Sequence, residues 1–337
     1  PVLAICYAQG WCANENYMTA TEAAAVSDIG TAFKGKTNIT HFEEFQYFTG
    51  ITNIPSEAFR STTLKNIVLP PNITIINSSA FYGADIRNCS MLIIPEGVTT
   101  IESSAFRSTN VPGISIPSTV TSISTASYNY VFQSTDIKTI NWDSPLNPNS
   151  QNHWAPSTGV TTFTSNVYDV IDGVLYTNNG TTLFAAPCKK TNVVIPSSVT
   201  EIADYACRSN TTNPMVLTDN LVTIGHFAFY AVKFGTHLVI PDSVTSIGGQ
   251  AFRSGNSNLV YIPPGCAVLG GSSFRDAPNN TTNKIVVINR SSRPTGSDTY
   301  TFNTTAVPWR AYVPVGATSN YPRNQAPFSN SSVQSVD

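Results

Sequence analysis

Ile240-Pro241-Asp242-Ser243-Val244-Thr245-Ser246-Ile247 is a phrase this chain repeats. It stands earlier as Ile195-Pro196-Ser197-Ser198-Val199-Thr200-Glu201-Ile202, and before that as Ile116-Pro117-Ser118-Thr119-Val120-Thr121-Ser122-Ile123. A short run ending in Ala-Phe, or a variant of it, follows most copies. A fixed period in the twenties is the mark of a solenoid, because one unit cannot bury its own apolar face and must stack on its neighbours. Working outward, Pro70, Pro95, Pro117, Pro196, Pro241 and Pro263 mark one slot, and Thr218 fills it once without proline. A second slot holds Phe59, Phe81, Phe106, Phe132, Phe229, Phe252, Phe274 and Phe302, with Cys207 in place of Phe once. Both markers recur at close to 22 residues where copies adjoin, so they run in phase.

Each unit has a physical reading. The stretch before the proline, such as His237-Leu238-Val239-Ile240, is β-branched and alternating, which favours a strand. Proline lacks an amide hydrogen and suits the strand end and the turn after it. Val-Thr-x-Ile then gives a second short extended piece with both apolar residues inward. Runs such as Ser103-Ser104-Ala105-Phe106 predict a capped single turn of helix. The Phe side chains should stack from unit to unit as an aromatic column in the core.

These residues resemble the BspA-like leucine-rich repeat family, whose repeat runs roughly L-x-x-I-x-I-P-x-x-V-x-x-I-x-x-x-A-F. The resemblance covers about residues 51 to 337. The segment Tyr168 to Tyr176 and the run Ala311-Tyr312-Val313-Pro314-Val315-Gly316 are also similar to segments of that family. The resemblance implies a leucine-rich repeat solenoid, α/β in its repeat but β-rich. It implies a curved right-handed coil with a parallel sheet on the concave side. It further implies secretion or cell-surface display, mostly in host-associated bacteria and some protists, and roles in adhesion.

Composition agrees with an exported binding protein. Charged residues make up 11% of the 337, far below the usual quarter, and the net charge is −2. No basic run occurs, so nucleic acid is not an expected partner. No apolar run is long enough to span a membrane. A signal segment and any lipid-anchor cysteine are expected upstream of Pro1. Cys207 in the Phe slot and Cys266 in the Val slot read as small buried hydrophobes, and Cys89 and Cys188 sit beside apolar rung positions. Cys6 and Cys12 are close enough in sequence to bridge or to stay free, but without C-x-x-C spacing or His partners they do not predict zinc.

Residues 1 to about 50 are expected to form a cap, with a helix from Ala20 to Val26. The opening segment resembles that of some gut-bacterial members in which an Asp-rich, EF-hand-like loop precedes the helix. Here Cys12 to Tyr17 lacks the Asp ligands and the turn glycine, so a plain helical cap is the better reading. The solenoid should occupy 51–337, interrupted at about 141–190 by a loop and a hairpin. The loop is rich in Pro, Asn and Ser, and Asp172-Gly173 between Val170-Ile171 and Val174-Leu175 is a hairpin signal. A core continuous through the interruption is expected.

No chemistry is written in the chain. None of His41, His153, His226 and His237 lies in H-E-x-x-H or beside a G-x-S-x-G elbow. No phosphate loop occurs, and Gly248-Gly249 and Gly270-Gly271 read as turn glycines. Glu43-Glu44 reads as a solvated pair, and His153-Trp154 as a loop anchor that could also touch a sugar. No enzyme activity, cofactor or metal is expected.

Two surfaces compete as a binding site. Alternation turns Val68, Ile93, Ser115, Asn141, Val194, Val216, Val239, Tyr261, Val287 and Tyr312 outward from the strand row. That row is unusually apolar. β-Branched residues suit a parallel sheet whatever they face, but a contiguous apolar strip also marks an interface. The second surface follows the Phe column as Arg60, Tyr82, Arg107, Gln133, Arg208, Tyr230, Arg253 and Arg275. Arg and Tyr are favoured contact residues, yet their stems can equally cover the rungs beneath. The functional expectation is a surface-exposed binding or adhesion solenoid for a protein or glycan, host matrix proteins included. The alternative is a structural spacer that presents another domain.

Overall fold

The computed structural model describes residues 1–124, 131–149, 159–177, 179–210, 215–235, 237–255, 257–275, 284–289, 292, 294–296, 301–302, 309–320 and 332–336. It divides into two compact units, Pro1–Val167 and Tyr168–Asp337. Both are β-solenoids of stacked coils with mainly parallel strands and little helix.

In the first unit Asn53–Ile54, Ile75–Ile76, Thr100–Ile101 and Ser122–Ile123 pair in parallel, setting Ile54, Ile76, Ile101 and Ile123 in one buried file. These are the Val-Thr-x-Ile pieces and their variants. The pre-proline pieces form another row: Leu92–Ile93, Gly113–Ile116, Thr139–Trp142 and Thr162–Thr164. His41–Phe42 and Asn66–Ile67 pair separately. In the second unit Thr182–Ala185, Glu201–Ile202, Thr223–Ile224, Ser246–Ile247 and Val268–Leu269 build the first row. His237–Val239, Leu259–Ile262, Lys284–Ile288, Trp309–Pro314 and Ser332–Val336 build the second. Neither pre-proline row is complete: residues 193–195 and 215–217 carry no strand, and Ile67 does not pair with Leu92.

The threonine of the phrase has a structural task. Its hydroxyl donates to a carbonyl of the preceding coil at Thr74 (to Thr52, 3.0 Å), Thr99 (to Thr74, 3.3 Å) and Thr245 (to Val222, 3.4 Å). The Phe column is as expected. Phe59, Phe81, Phe106 and Phe132 stack at 5.1, 5.3 and 5.5 Å, with planes 13° apart or less. Phe252 stacks on Phe274 at 5.1 Å, and Phe274 on Phe302 at 5.2 Å. Cys207 and Cys266 are fully buried.

Two expectations need correction, and two outlines gain detail. The runs ending in Ala-Phe are not helical turns. They are chains of tight turns in which the residues two before and two after the column are left-handed, as at Ser79 (φ 58°), Ser104 (57°) and Ser108 (56°). A left-handed residue every fourth position forbids a helix. The aromatic column also reaches back beyond residue 51: Ala32-Phe33 supplies an earlier step, and Phe33 stacks on Phe59 at 5.6 Å and 14°. That coil lacks the proline that marks the others. The interruption is smaller at its start than the composition indicates. Asn141 lies within a strand, and Thr162–Thr164 adds the next one, because Thr139-Ile140-Asn141-Trp142 keeps the inward–outward alternation. Finally, Gly248 and Gly270 are needed for space, not for turn conformation. A Cβ on Gly248 would lie 2.5 Å from the His226 nitrogen, and one on Gly270 2.3 Å from the Gly249 nitrogen.

The hairpin is present. Asp169–Ile171 pairs antiparallel with Val174–Tyr176 across Asp172 (φ 47°) and Gly173 (70°), the two left-handed residues that a tight hairpin turn requires. At the N-terminus Val2–Ala8 and Ala20–Ala25 are helical. Thr19 and Glu22 form a capping box on the second helix. Glu22 also accepts from the Ala13 amide at 2.9 Å, closing the loop that follows Cys12.

Candidate binding surfaces

The register aligns the outward row across each sheet. Ile93 lies beside Ser115, Ser115 beside Asn141, and Asn141 beside Thr164. In the second unit Val239, Tyr261, Val287 and Tyr312 form a continuous file. None of the ten residues is buried, because the residues between them, such as Leu238, Ile240, Val260 and Ile262, occupy the core. Val216, Val194, Val239 and Ile93 are the most open, at 78, 75, 62 and 59%. Val194 and Val216 precede the edge strand His237–Val239, where the row has no ladder.

The file is not uniformly apolar. Asn141 donates to Ser115 Oγ at 3.2 Å, and Thr164 donates to Asn141 Oδ1 at 3.2 Å, so the middle of the first unit is a polar ladder. The Tyr261 hydroxyl donates to Asp242 at 3.3 Å. Where Ile67 and Leu92 fail to pair, a cavity of about 420 Å³ opens between Val68, Pro71, Met91, Ile93 and Pro95. The coil there is 25 residues long, from Pro70 to Pro95.

The second stripe is half-buried throughout and bonded to itself. The Arg60 guanidinium lies 4.9 Å from the Tyr82 ring centre, with Arg107 at 5.8 Å from the same ring. Arg208 and Arg253 flank Tyr230 at 5.1 and 5.9 Å. Each exposed contact of this kind contributes about 0.5–1 kcal/mol. Arg60 also pairs with Glu57, and Arg253 donates to Gln250 at 2.7 Å. Gln133 and Arg275 continue the stripe at the same position after Phe132 and Phe274.

Two features were missed by sequence reasoning. Tyr205 and Phe227, two residues before the column, sit in left-handed backbone with φ of 62° and 53°. The signal was available: those slots hold Ser or Glu in Ser79, Ser104 and Glu57. A second cavity, of about 490 Å³, lies in the N-terminal region between Val2, Cys6, Met18, Ala23, Phe42 and Tyr47.

Chemistry that could serve catalysis is sparse. Among the described residues no group of three or more His, Cys, Asp or Glu could hold a metal ion. No helix among them is long and apolar enough to cross a membrane. Glu43 accepts from Asn66 at 2.8 Å, while Glu44 is exposed. His153 and Trp154 lie outside the described residues. None of the six cysteines is in a disulfide, and burial together with nearby Cys12 pushes the Cys6 thiol up to about 11. Asp143 accepts four hydrogen bonds. Burial raises it, but the backbone and side chain of Asn166, with Ser165 and Asn141, outweigh burial and hold it below the usual carboxylate range.

The profile of the BspA type leucine rich repeat region matches residues 29–160 and 177–304 in six copies. The chain belongs to the BspA-type leucine-rich repeat family. The match begins at residue 29, in step with Phe33 in the aromatic column. No curated protein matches this BspA-type chain. Among solved structures it is similar to the pneumococcal vaccine antigen PcpA, at 18% identity and a TM-score of 0.49, with 85% of each chain covered. It is similar to a leucine-rich repeat protein from Eubacterium ventriosum at 22% identity and 0.41, covering 87% of this chain and 74% of that one. It is also similar to a leucine rich cell surface protein from Faecalibacterium prausnitzii at 18% and 0.35, covering 68% and 78%. None of these matches carries an enzyme's name.

Proposed function

We propose that this BspA-type protein is a non-enzymatic binding or adhesion protein, secreted or displayed at a cell surface, that takes a protein or glycan partner on its solenoid surface. The observation that carries the reading is the apolar file Val194, Val216 and Val239, each more than 60% exposed on successive coils. Water-facing valines at the same slot of three successive coils favour a covering partner, and their apolar character suits a protein surface best. The low charge content and the repeat family support export and display. Residues 1–50 would act as the cap, with Phe33 continuing the aromatic column of the display surface at 51–337.

The test is the double substitution Val216→Lys with Val239→Lys, screened against matrix proteins and glycans. Partner binding or self-association should fall at least tenfold while the melting temperature stays near wild type. Unchanged binding would return the strip to simple sheet propensity.

A further inference from the structure

We propose that the seam between Asn66–Ile67 and Leu92–Ile93 is a docking slot for an extended peptide segment of a protein partner. In other coils the residue before the proline ties its coil to the next through the backbone. The Ile94 amide donates to the Ser115 carbonyl at 3.1 Å, and the Ile240 amide to the Tyr261 carbonyl at 3.2 Å. Leu69 holds the same place before Pro70, yet among the described residues its amide donates to no backbone carbonyl. The Met91 amide likewise has no backbone acceptor. Buried backbone donors are almost always paired, and Leu69 is only 5% exposed. The two coils are not simply apart, since the Asn88 amide donates to the Lys65 carbonyl at 3.1 Å just before the seam.

Both amides belong to residues that line the cavity of about 420 Å³ described above. Its remaining surface is mainly apolar, with Ile93 59% and Val68 40% exposed. Glu96 also lines it, is exposed, and forms no ion pair or side-chain hydrogen bond among the described residues. The slot therefore asks for three things at once: carbonyl acceptors, an apolar group and a cation.

An extended peptide supplies all three. Its main chain offers carbonyl oxygens along its length, and alternate side chains point to the same side. One bulky apolar side chain enters between Val68, Met91 and Ile93, and a neighbouring Lys or Arg reaches Glu96. Adding a strand-like segment to unpaired backbone gives affinity through main-chain bonds and specificity through such pockets. Water alone would satisfy the amides but leave Ile93 and Val68 uncovered. A neutral glycan brings hydroxyls but neither the bulky apolar group nor the cation.

The inference rests on the binding reading above for its class of partner, but it uses a different unit from the valine strip. A phage library of random heptapeptides is panned on the full chain, and the enriched peptides are synthesised and titrated by fluorescence anisotropy. They should carry one bulky apolar residue next to Lys or Arg. Ile93→Lys, at a largely exposed position, should lower their affinity at least tenfold with an unchanged melting temperature. Val68→Lys should do the same and decides the matter if Ile93→Lys fails to fold. N-methylation of the peptide amides beside the apolar residue should also cost at least tenfold, which contact through side chains alone would not. Exchange of the Leu69 amide hydrogen should slow at least tenfold when peptide is bound. An absence of enriched peptides, unchanged affinity in the variant that folds, or unchanged Leu69 exchange overturns the proposal, and the seam is then a hydrated irregularity. Val216→Lys with Val239→Lys should leave peptide affinity unchanged, which keeps failure of this slot distinct from failure of the strip.

Discussion

Asp143 shows how one carboxylate ties two coils together. It follows the strand Thr139–Trp142 and accepts from Asn141, Ser165 and two nitrogens of Asn166 at 2.7 to 3.0 Å. Its folded pKa lies below the unfolded one, so its stabilisation is present above the ordinary carboxylate value and is lost as pH falls through the folded value. The first unit should therefore hold its melting temperature from pH 7 down to about 4 and lose it below. Asp143→Asn should reduce that acid loss, leaving the share of Glu22 and Glu57, whose pKa values are also lowered, and cost about 1–3 kcal/mol at neutral pH, read from paired melts. Phe252 and Arg253 give a second residue-level contrast. Phe252→Ala should cost about 3–5 kcal/mol, because a ring stacked on both sides leaves a cavity. Arg253→Ala should cost about 1 kcal/mol, the worth of one exposed cation–π contact. Equal losses in denaturant melts would reverse the inside and outside faces.

At the scale of the coil, glycines set how closely backbones approach. Gly225, Gly248 and Gly270 occupy the same slot on successive coils, and a Cβ on Gly225 would lie 2.6 Å from the Asp204 nitrogen. Since the obstacle is backbone, Gly248→Ala should cost about 1–3 kcal/mol, measured by denaturant melts, with a local loss of amide protection in Thr223–Ile224. Much of the coil was legible in advance. Proline, Val-Thr-x-Ile and Phe each name a position whose environment is the same in every unit, so repetition averaged out local ambiguity. The Ala-Phe turns were misread because Ser-Ser-Ala-Phe looks like a capped helix when taken alone. Only the alternation of left-handed residues excludes that, and Ser gives no sign of it as Gly would. The start of the stack was hidden for a similar reason: Ala32-Phe33 has the column residue without the proline.

For the molecule as a whole, charge decides what kind of association to expect. With 18 Lys and Arg against 20 Asp and Glu in 337 residues, long-range steering is weak. Partner binding through Val194, Val216 and Val239 should change less than threefold between 50 and 500 mM salt. The candidate surfaces were only half legible. The outward strand row follows from period-two alternation, which any strand displays. At Tyr205 and Phe227 the sequence shows the departure from Ser or Glu, and only the backbone shows that the slot is left-handed.

The threonine bonds have a consequence for heredity. Among the described residues neighbouring coils of the second unit repeat one register: Glu201-Ile202 receives Thr223-Ile224, which receives Ser246-Ile247. Excision of residues 223–245 would bring Ser246-Ile247 onto the seat left vacant, with the isoleucines still aligned. Such a chain is a modular ruler. Recombination between its own near-identical phrases can shorten or lengthen it by whole coils, about 4.8 Å at a time, without inventing a new interior.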